Sequence, residues 1–355
     1  MNASLDASPS ATPVPVLDTT SLSLTLRALQ PYLNAPGVTE LCINRPREIF
    51  LETAEGWRRE AAPFADFAWC RRLAKLVGNA TQQRIAEEQP LLSAWLPGGE
   101  RIQVVLPPAT TAECVAITIR RPSERVWSIE ELGRRGALRV ARRLGDAEAT
   151  DGLEAQLQGL LKGGAYEAFL RLAIKGRKNI LVSGPTGSGK TTWTKAMIQE
   201  IPIEERLITI EDARELNLDK HPNHVRLYYS KGEQGRARVT PKQLLEACLR
   251  MRPDRILLAE LRGEEAFDYL RNVNSGHPGS ITSVHAGSAE LAFEQLVLLV
   301  KQSAGGQALA RDDIKQLLYL TVDVVLQFGV ERHERVIREI WYAPERRRQA
   351  LAQFR

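Results

Sequence analysis

The most constraining feature of the chain is the segment GPTGSGKTT at 184–192. It fits the pattern G-x-x-x-x-G-K-[ST] and stands between a short apolar run, NILVSG at 179–184, and a helical stretch beginning at Lys190. That context requires a buried strand ending in a glycine-rich loop with a helix start behind it. Gly187 and Gly189 carry no Cβ, so the loop can curl until its N–H groups converge on a phosphate, helped by the helix dipole. The predicted nucleotide-binding residues are Gly184, Pro185, Thr186, Gly187, Ser188, Gly189, Lys190, Thr191 and Thr192. Lys190 is placed to neutralise β- and γ-phosphates, and the Thr191 hydroxyl to ligate Mg²⁺.

Further strand-sized runs follow at RLITIED (206–212), RILLAE (255–260) and GSITSVHA (279–286), with helices between them. Buried β-branched runs alternating with helices indicate a parallel sheet of βαβ units. The stretch VDVVLQFG to RVIREIWYA (322–343) reads as a closing antiparallel hairpin, and ERRR at 345–348 as a solvated tail. A parallel sheet places its ligand chemistry at the C-terminal ends of its strands. Glu211 and Asp212 end one strand, where a carboxylate can take a proton from, or orient, an attacking water. Glu260 ends another, in position to hold the Mg²⁺ shell through water. Either His277 or His285 is placed to sense a γ-phosphate. His221 and His224 have no Cys or further His beside them, so KHPNHVRL reads as a polar loop rather than a metal site.

At 355 residues the chain exceeds the size at which one core usually stops growing, so more than one domain is expected. Residues 1–20, rich in Ser, Thr, Pro and Ala, read as a flexible leader. Residues 21–121 read as an N-terminal α+β domain that opens with a short helix ended by Pro31. Residues 122–155 read as a long linker and 156–355 as the α/β catalytic domain. The composition, 43% hydrophobic and 26% charged, excludes a mainly disordered or membrane-embedded chain. With no secretory signal and no long apolar span, the chain is expected to start and stay in the cytosol. A net charge of +5 permits loose contact with phosphates or anionic lipid and demands neither. The 4 cysteines lie far apart, which fits isolated thiols rather than a zinc site or disulfide framework.

The segments ITIEDAREL, ILLAELRGEEA and SGHPGSITSVHA resemble the acidic box, second Walker motif and histidine box of the secretion, or traffic, ATPases. LCINRPREIFLE, LPGGERIQVVLPP, ITIRRPS, HPNHVRLYY and CLRMRPDRILLAELRG are similar to the VirB-type branch that serves type IV secretion systems. The resemblance covers roughly 22–342. Ala259 departs from the usual Gly before the glutamate, and the four-cysteine zinc module frequent in type II secretion motors is absent.

The resemblance implies an α/β fold: a RecA-like phosphate-loop domain with a smaller N-terminal α+β domain. It implies a homohexameric ATPase using ATP and Mg²⁺, at the cytoplasmic face of the bacterial inner membrane. Such a motor powers pilus biogenesis and transfer of protein or DNA–protein substrates. Its partners are the other ATPases and inner-membrane components of the apparatus, with peripheral membrane contact and no specific nucleic-acid binding. By the same resemblance, Lys190 and Thr191 bind phosphates and Mg²⁺, and Glu211 is the catalytic carboxylate. Glu260 is the Mg²⁺-side carboxylate, His285 the γ-phosphate sensor, and Arg101 and Arg120 reach the nucleotide from the N-terminal domain. The rival class is a hexameric helicase, which steep salt dependence of DNA binding would reveal. A nucleotide-stabilised scaffold would bind without turnover, and a GTPase is disfavoured because N-K-x-D is missing.

Overall fold

A computed structural model describes residues 20–122, 127–140, 152–230 and 235–353. The expected leader lies outside the described residues except for Thr20, which opens α1 (Thr20–Leu26). Pro31 does not end that helix. It sits in the first turn of a separate helix, α2 (Gln30–Leu33), where a missing N–H leaves no bond unmade.

Three strands follow: β1 (Glu40–Ile43), β2 (Glu48–Thr53) and β3 (Gly56–Ala61). Helix α3 (Phe67–Ala80) is started by Asp66, whose carboxylate accepts the Trp69 N–H at 2.7 Å. Its Trp69, Leu73 and Val77 side chains share one helical face and are buried. Then come β4 (Leu91–Trp95), β5 (Arg101–Val105) and β6 (Ala116–Arg120). The six strands form one sheet in the order β3-β2-β1-β6-β5-β4, antiparallel throughout. A short helix, α4 (Ile129–Arg134), is held by a Ser128–Glu131 capping box and buries none of its residues.

The C-terminal layer begins with α5 (Gly152–Lys162) and α6 (Tyr166–Lys175). Next are β7 (Ile180–Ser183), α7 (Lys190–Ile198), β8 (Leu207–Glu211) and β9 (His224–Tyr228). The expected polar loop around His224 is therefore a strand; its Val225 and Leu227 are buried, an apolar signal that the flanking His and Pro residues obscure. Helix α8 (Pro241–Cys248), β10 (Arg255–Leu258), α9 (Glu265–Asn274) and β11 (Ile281–Val284) follow. The chain continues through α10 (Ala289–Gln302), α11 (Arg311–Thr321), β12 (Val324–Glu331), β13 (Glu334–Trp341) and α12 (Pro344–Gln353). The predicted solvated tail is thus helical.

β10-β8-β9 form one parallel group, and β11-β7-β12-β13 a second in which only β13 is antiparallel. The groups meet where Leu261 N–H donates to Ser283 O (2.9 Å) and Ser280 Oγ donates to Ile256 O (2.6 Å). Alternation along each strand then decides which side each residue faces. Leu181, Ile208 and Ile210 face a core completed by α8–α11; Ile180, Val182 and Leu207 face one completed by α5–α7. This is the expected α/β architecture: a mostly parallel sheet with helices on both faces, beside a smaller α+β unit.

The N-terminal sheet is joined to this layer. Tyr228 N–H donates to Ala109 O (2.9 Å) and Thr110 Oγ1 to Arg226 O (2.8 Å), so 109–110 covers the β9 edge. Beside them, the buried Arg206 guanidinium donates to Asn44 Oδ1 (2.8 Å), Met251 O (2.9 Å) and Asn223 Oδ1. Among the described residues, no helix is long and apolar enough to cross a membrane.

Candidate nucleotide site

β7 ends at Ser183, and the chain turns sharply through Gly184, whose φ is 152°. A Cβ there would stand 2.8 Å from Phe328 O and 2.9 Å from Ser188 Oγ, so only glycine fits. Ser188 Oγ donates to Pro185 O (2.8 Å) and closes the loop on itself. Helix α7 then starts at Gly189 (φ 95°) with no side-chain cap, leaving its first N–H groups for a ligand.

The loop borders a cavity of about 370 Å³, enough for a nucleotide. Thr186 to Thr192 line it, joined by Asp212, Glu215, Glu260, Arg262, His285 and Arg335. Gly184 and Pro185 do not line it; they form the rear of the loop and turn their carbonyls to Lys190, whose Nζ donates to both (2.6 and 3.0 Å).

Across the strand ends runs a chain of charged groups in sheet order. Lys190 Nζ, after β7, lies 3.4 Å from His285 Nδ1, after β11. His285 Nε2 is 3.1 Å from Glu260 Oε1, after β10; Glu260 Oε2 accepts from Arg262 (2.5 Å), which also pairs with Asp212, after β8, at 2.9 Å. Burial pushes the Glu260 carboxyl up to about 7, against the pull of Lys190 and with the push of Asp212, Glu215 and Glu265. Burial also lowers Lys190, and burial with the cationic Lys190 and Arg262 lowers His285, so the imidazole is neutral at pH 7.

Glu211 is not in the cavity. It is fully buried and its carboxylate accepts from Thr209 Oγ1 (2.6 Å), the N–H groups of Glu215 (2.9 Å) and Leu216 (2.8 Å), and Arg226 (3.3 Å). With these lone pairs committed and no face on the cavity, it anchors the 212–216 segment instead of meeting a water. Sequence placement at a strand end could not separate Glu211 from Asp212; the strand's alternation turned the first inward and the second outward. Glu211→Gln is accordingly expected to destabilise the fold by about 2–3 kcal/mol in urea unfolding, because Arg226 loses its buried counter-charge. A variant that unfolds like wild type yet loses turnover would restore a chemical role for Glu211.

Arg101 and Arg120 are register partners on β5 and β6 and share a second cavity, of about 610 Å³, with Glu40, Trp95, Arg252 and His277. Arg101 lies over the Trp95 ring at 4.5 Å, and Arg120 Nε is 3.5 Å from Glu40 Oε1. Burial raises Glu40 to about 7, so its carboxyl only partly offsets the arginines' charge. Arg252 precedes β10 whereas Glu260 follows it, so this cavity sits at the other end of the strand; the two cavities share no lining residue. Within one chain, then, the structure does not bring Arg101, Arg120 or His277 to the phosphate loop. Sequence reasoning missed Glu215, Arg262 and Arg335. Arg262 lies two residues beyond Glu260 and Glu215 falls within the acidic box ITIEDAREL, so both were within reach of the sequence; Arg335 carries no local signal.

Residues 25–328 match the family described as "Type II/IV secretion system protein". The chain belongs to this family. A VirB11 protein of Bartonella quintana is 44% identical over 344 residues, covering 94% of this chain and 96% of its own. The PtlH protein of the Bordetella pertussis type IV secretion system is 41% identical, covering 91% and 95%. The solved VirB11 ATPase of Brucella suis, in complex with sulphate, superposes with a TM-score of 0.89 at 44% identity, covering 94% and 98%. The matched span includes the phosphate loop, Glu260 and His285.

Proposed function

We propose that this chain is an ATP hydrolase that powers a type IV secretion apparatus, working as a homohexamer at the cytoplasmic face of the bacterial inner membrane. What carries the reading is one cavity where phosphate loop, Thr191, Glu260, neutral His285 and Lys190 converge at the ends of adjoining strands. The relatives' names supply the secretion system; the cavity supplies the chemistry.

Lys190 leaves its loop carbonyls to meet the β- and γ-phosphates, and the uncapped α7 N-terminus holds the phosphate chain. His285, neutral, hydrogen-bonds the γ-phosphate. With Glu211 turned away from the cavity, Asp212 and Glu215 are the carboxylates besides Glu260 that line it and can orient the attacking water. Mg²⁺ fits the donor set: the Thr191 hydroxyl and Glu260 share the cavity, and Glu260 Oε1 is a buried oxygen without an aligned hydrogen-bond partner. Bound there, the ion would neutralise charge developing between β- and γ-phosphates.

Arg101 and Arg120, remote from their own phosphate loop, act on the nucleotide of an adjoining subunit, where the planar arginine fork suits phosphate oxygens. Mass in solution should rise to a hexamer with ATP and Mg²⁺. Arg101→Ala and Lys190→Ala, each inactive alone, should regain part of the wild-type turnover when mixed, since each supplies what the other lacks. No recovery in mixed rings would rule out action between subunits.

A further inference from the structure

Arg335 lines the phosphate-loop cavity, and the preceding reading gives it no task. Its position follows from the length of the closing hairpin. β12 pairs with β7 only as far as Gln327–Ser183, after a register shift at Gln327/Phe328 it runs on to Glu331, and β13 returns from Glu334. The overhang has a tight turn at one end and a packed aromatic at the other. Arg332 and His333 make the turn with φ of 47° and 72°, and Phe328 packs directly against Gly184. Arg335, opposite Val330, is thereby carried past the end of the sheet and over the loop.

The Arg335 side chain lies against Gly189: its Cδ is 3.2 Å and its Cβ 3.5 Å from where a Cβ on residue 189 would stand. Its guanidinium forms no hydrogen bond or ion pair with any other described residue, whereas the neighbouring Arg338 pairs with Glu331. The direction of approach is informative. Lys190, His285, Glu260 and Arg262 form the charged chain on the β11 side of β7, where the γ-phosphate and water are handled. Arg335 comes from the opposite flank, through β12, against the residue that caps α7. An arginine fork there faces the part of the phosphate chain that stays with the nucleoside.

We propose that Arg335 binds the α- and β-phosphates of the nucleotide from the outer rim of the loop, holding ATP and ADP alike. The proposal rests on the nucleotide reading of this cavity. Because both nucleotides share the contact before and after hydrolysis, it is uniform binding, which sets KM and leaves kcat. Residue 335 also lies beyond the family match at 25–328.

The full-length protein is titrated with ATP in the presence of EDTA, with Mg²⁺–ADP, and assayed for turnover. Arg335→Met keeps the stem on Gly189 and removes the charge; Arg335→Lys restores the charge without the fork. Met should weaken ATP and ADP about tenfold each and raise KM similarly, with kcat within about twofold of wild type. Lys should recover part of that loss, and melting temperatures should match wild type. Unchanged affinity, loss confined to ATP, or a fall in kcat at unchanged affinity would each overturn the assignment. Wild type decides the prior question separately: if it binds neither nucleotide, the nucleotide reading fails before Arg335 is tested.

Discussion

Lys190→Ala is expected to lose about 10³-fold in ATP turnover, on the order of 4 kcal/mol of transition-state stabilisation. The ammonium is the cation of the loop itself, and its resting contacts are two carbonyls and a neutral imidazole rather than a carboxylate. Nothing therefore holds it back from phosphate. Stability should change little. Burial already disfavours the charged form of Lys190, so removing it relieves that strain while giving up two partly exposed hydrogen bonds. A melting curve within a few degrees of wild type, with turnover near the blank, is the expected pair of results. Normal turnover would refute the phosphate-loop assignment outright, and a collapsed melting curve would show Lys190 to be structural.

Arg206→Met is expected to have the largest effect on stability, about 3–5 kcal/mol. Arg206 is completely buried where the N-terminal sheet meets the catalytic layer. Its Nε donates to Met251 O, and Nη1 to Asn44 Oδ1 and Asn223 Oδ1, residues of both units, while Trp57 lies 5.6 Å beneath it. No carboxylate pairs with its guanidinium among the described residues, so the charge is borne by neutral oxygen acceptors, the Thr118 hydroxyl at 3.5 Å from Nη2 included. Methionine would fill the volume yet remove the donors that meet Met251 O and Asn44 Oδ1, and buried unsatisfied groups are costly, while Asn223 Oδ1 keeps the Asn44 side-chain amide at 3.0 Å. Urea unfolding should shift to a lower midpoint, and brief proteolysis should cut the N-terminal unit from the C-terminal one before either is digested. Wild-type midpoints would mean that Ala109, Thr110 and the Glu52–Arg252 pair suffice to join the units.

The family resemblance of the sequence rested on contiguous motifs, and the phosphate loop, Glu260 and His285 of those motifs meet at one cavity. The phosphate loop is legible because one continuous stretch supplies glycines, cation and hydroxyl. Glu260 and His285 are legible because a parallel sheet always brings its C-terminal strand ends to one edge. Glu211 is turned away from the cavity for a local reason: a strand end gives two adjacent carboxylates, and which faces the ligand depends on a twist of one residue. Arg206 reads as an ordinary basic residue before a strand and proves to be the pin between two units.

Sequence by itself determined the loop chemistry, the buried parallel strands and hence the α/β layer, because these depend on residue type at short spacing. Tertiary structure alone decided that Arg101 and Arg120 occupy a cavity separate from the phosphate loop of their own chain. It alone placed Arg335 against Gly189, 146 positions earlier in the chain. Contacts of that kind arise from strand order and hairpin length, which are set by the packing of all the layers together and leave no mark on the residues they join.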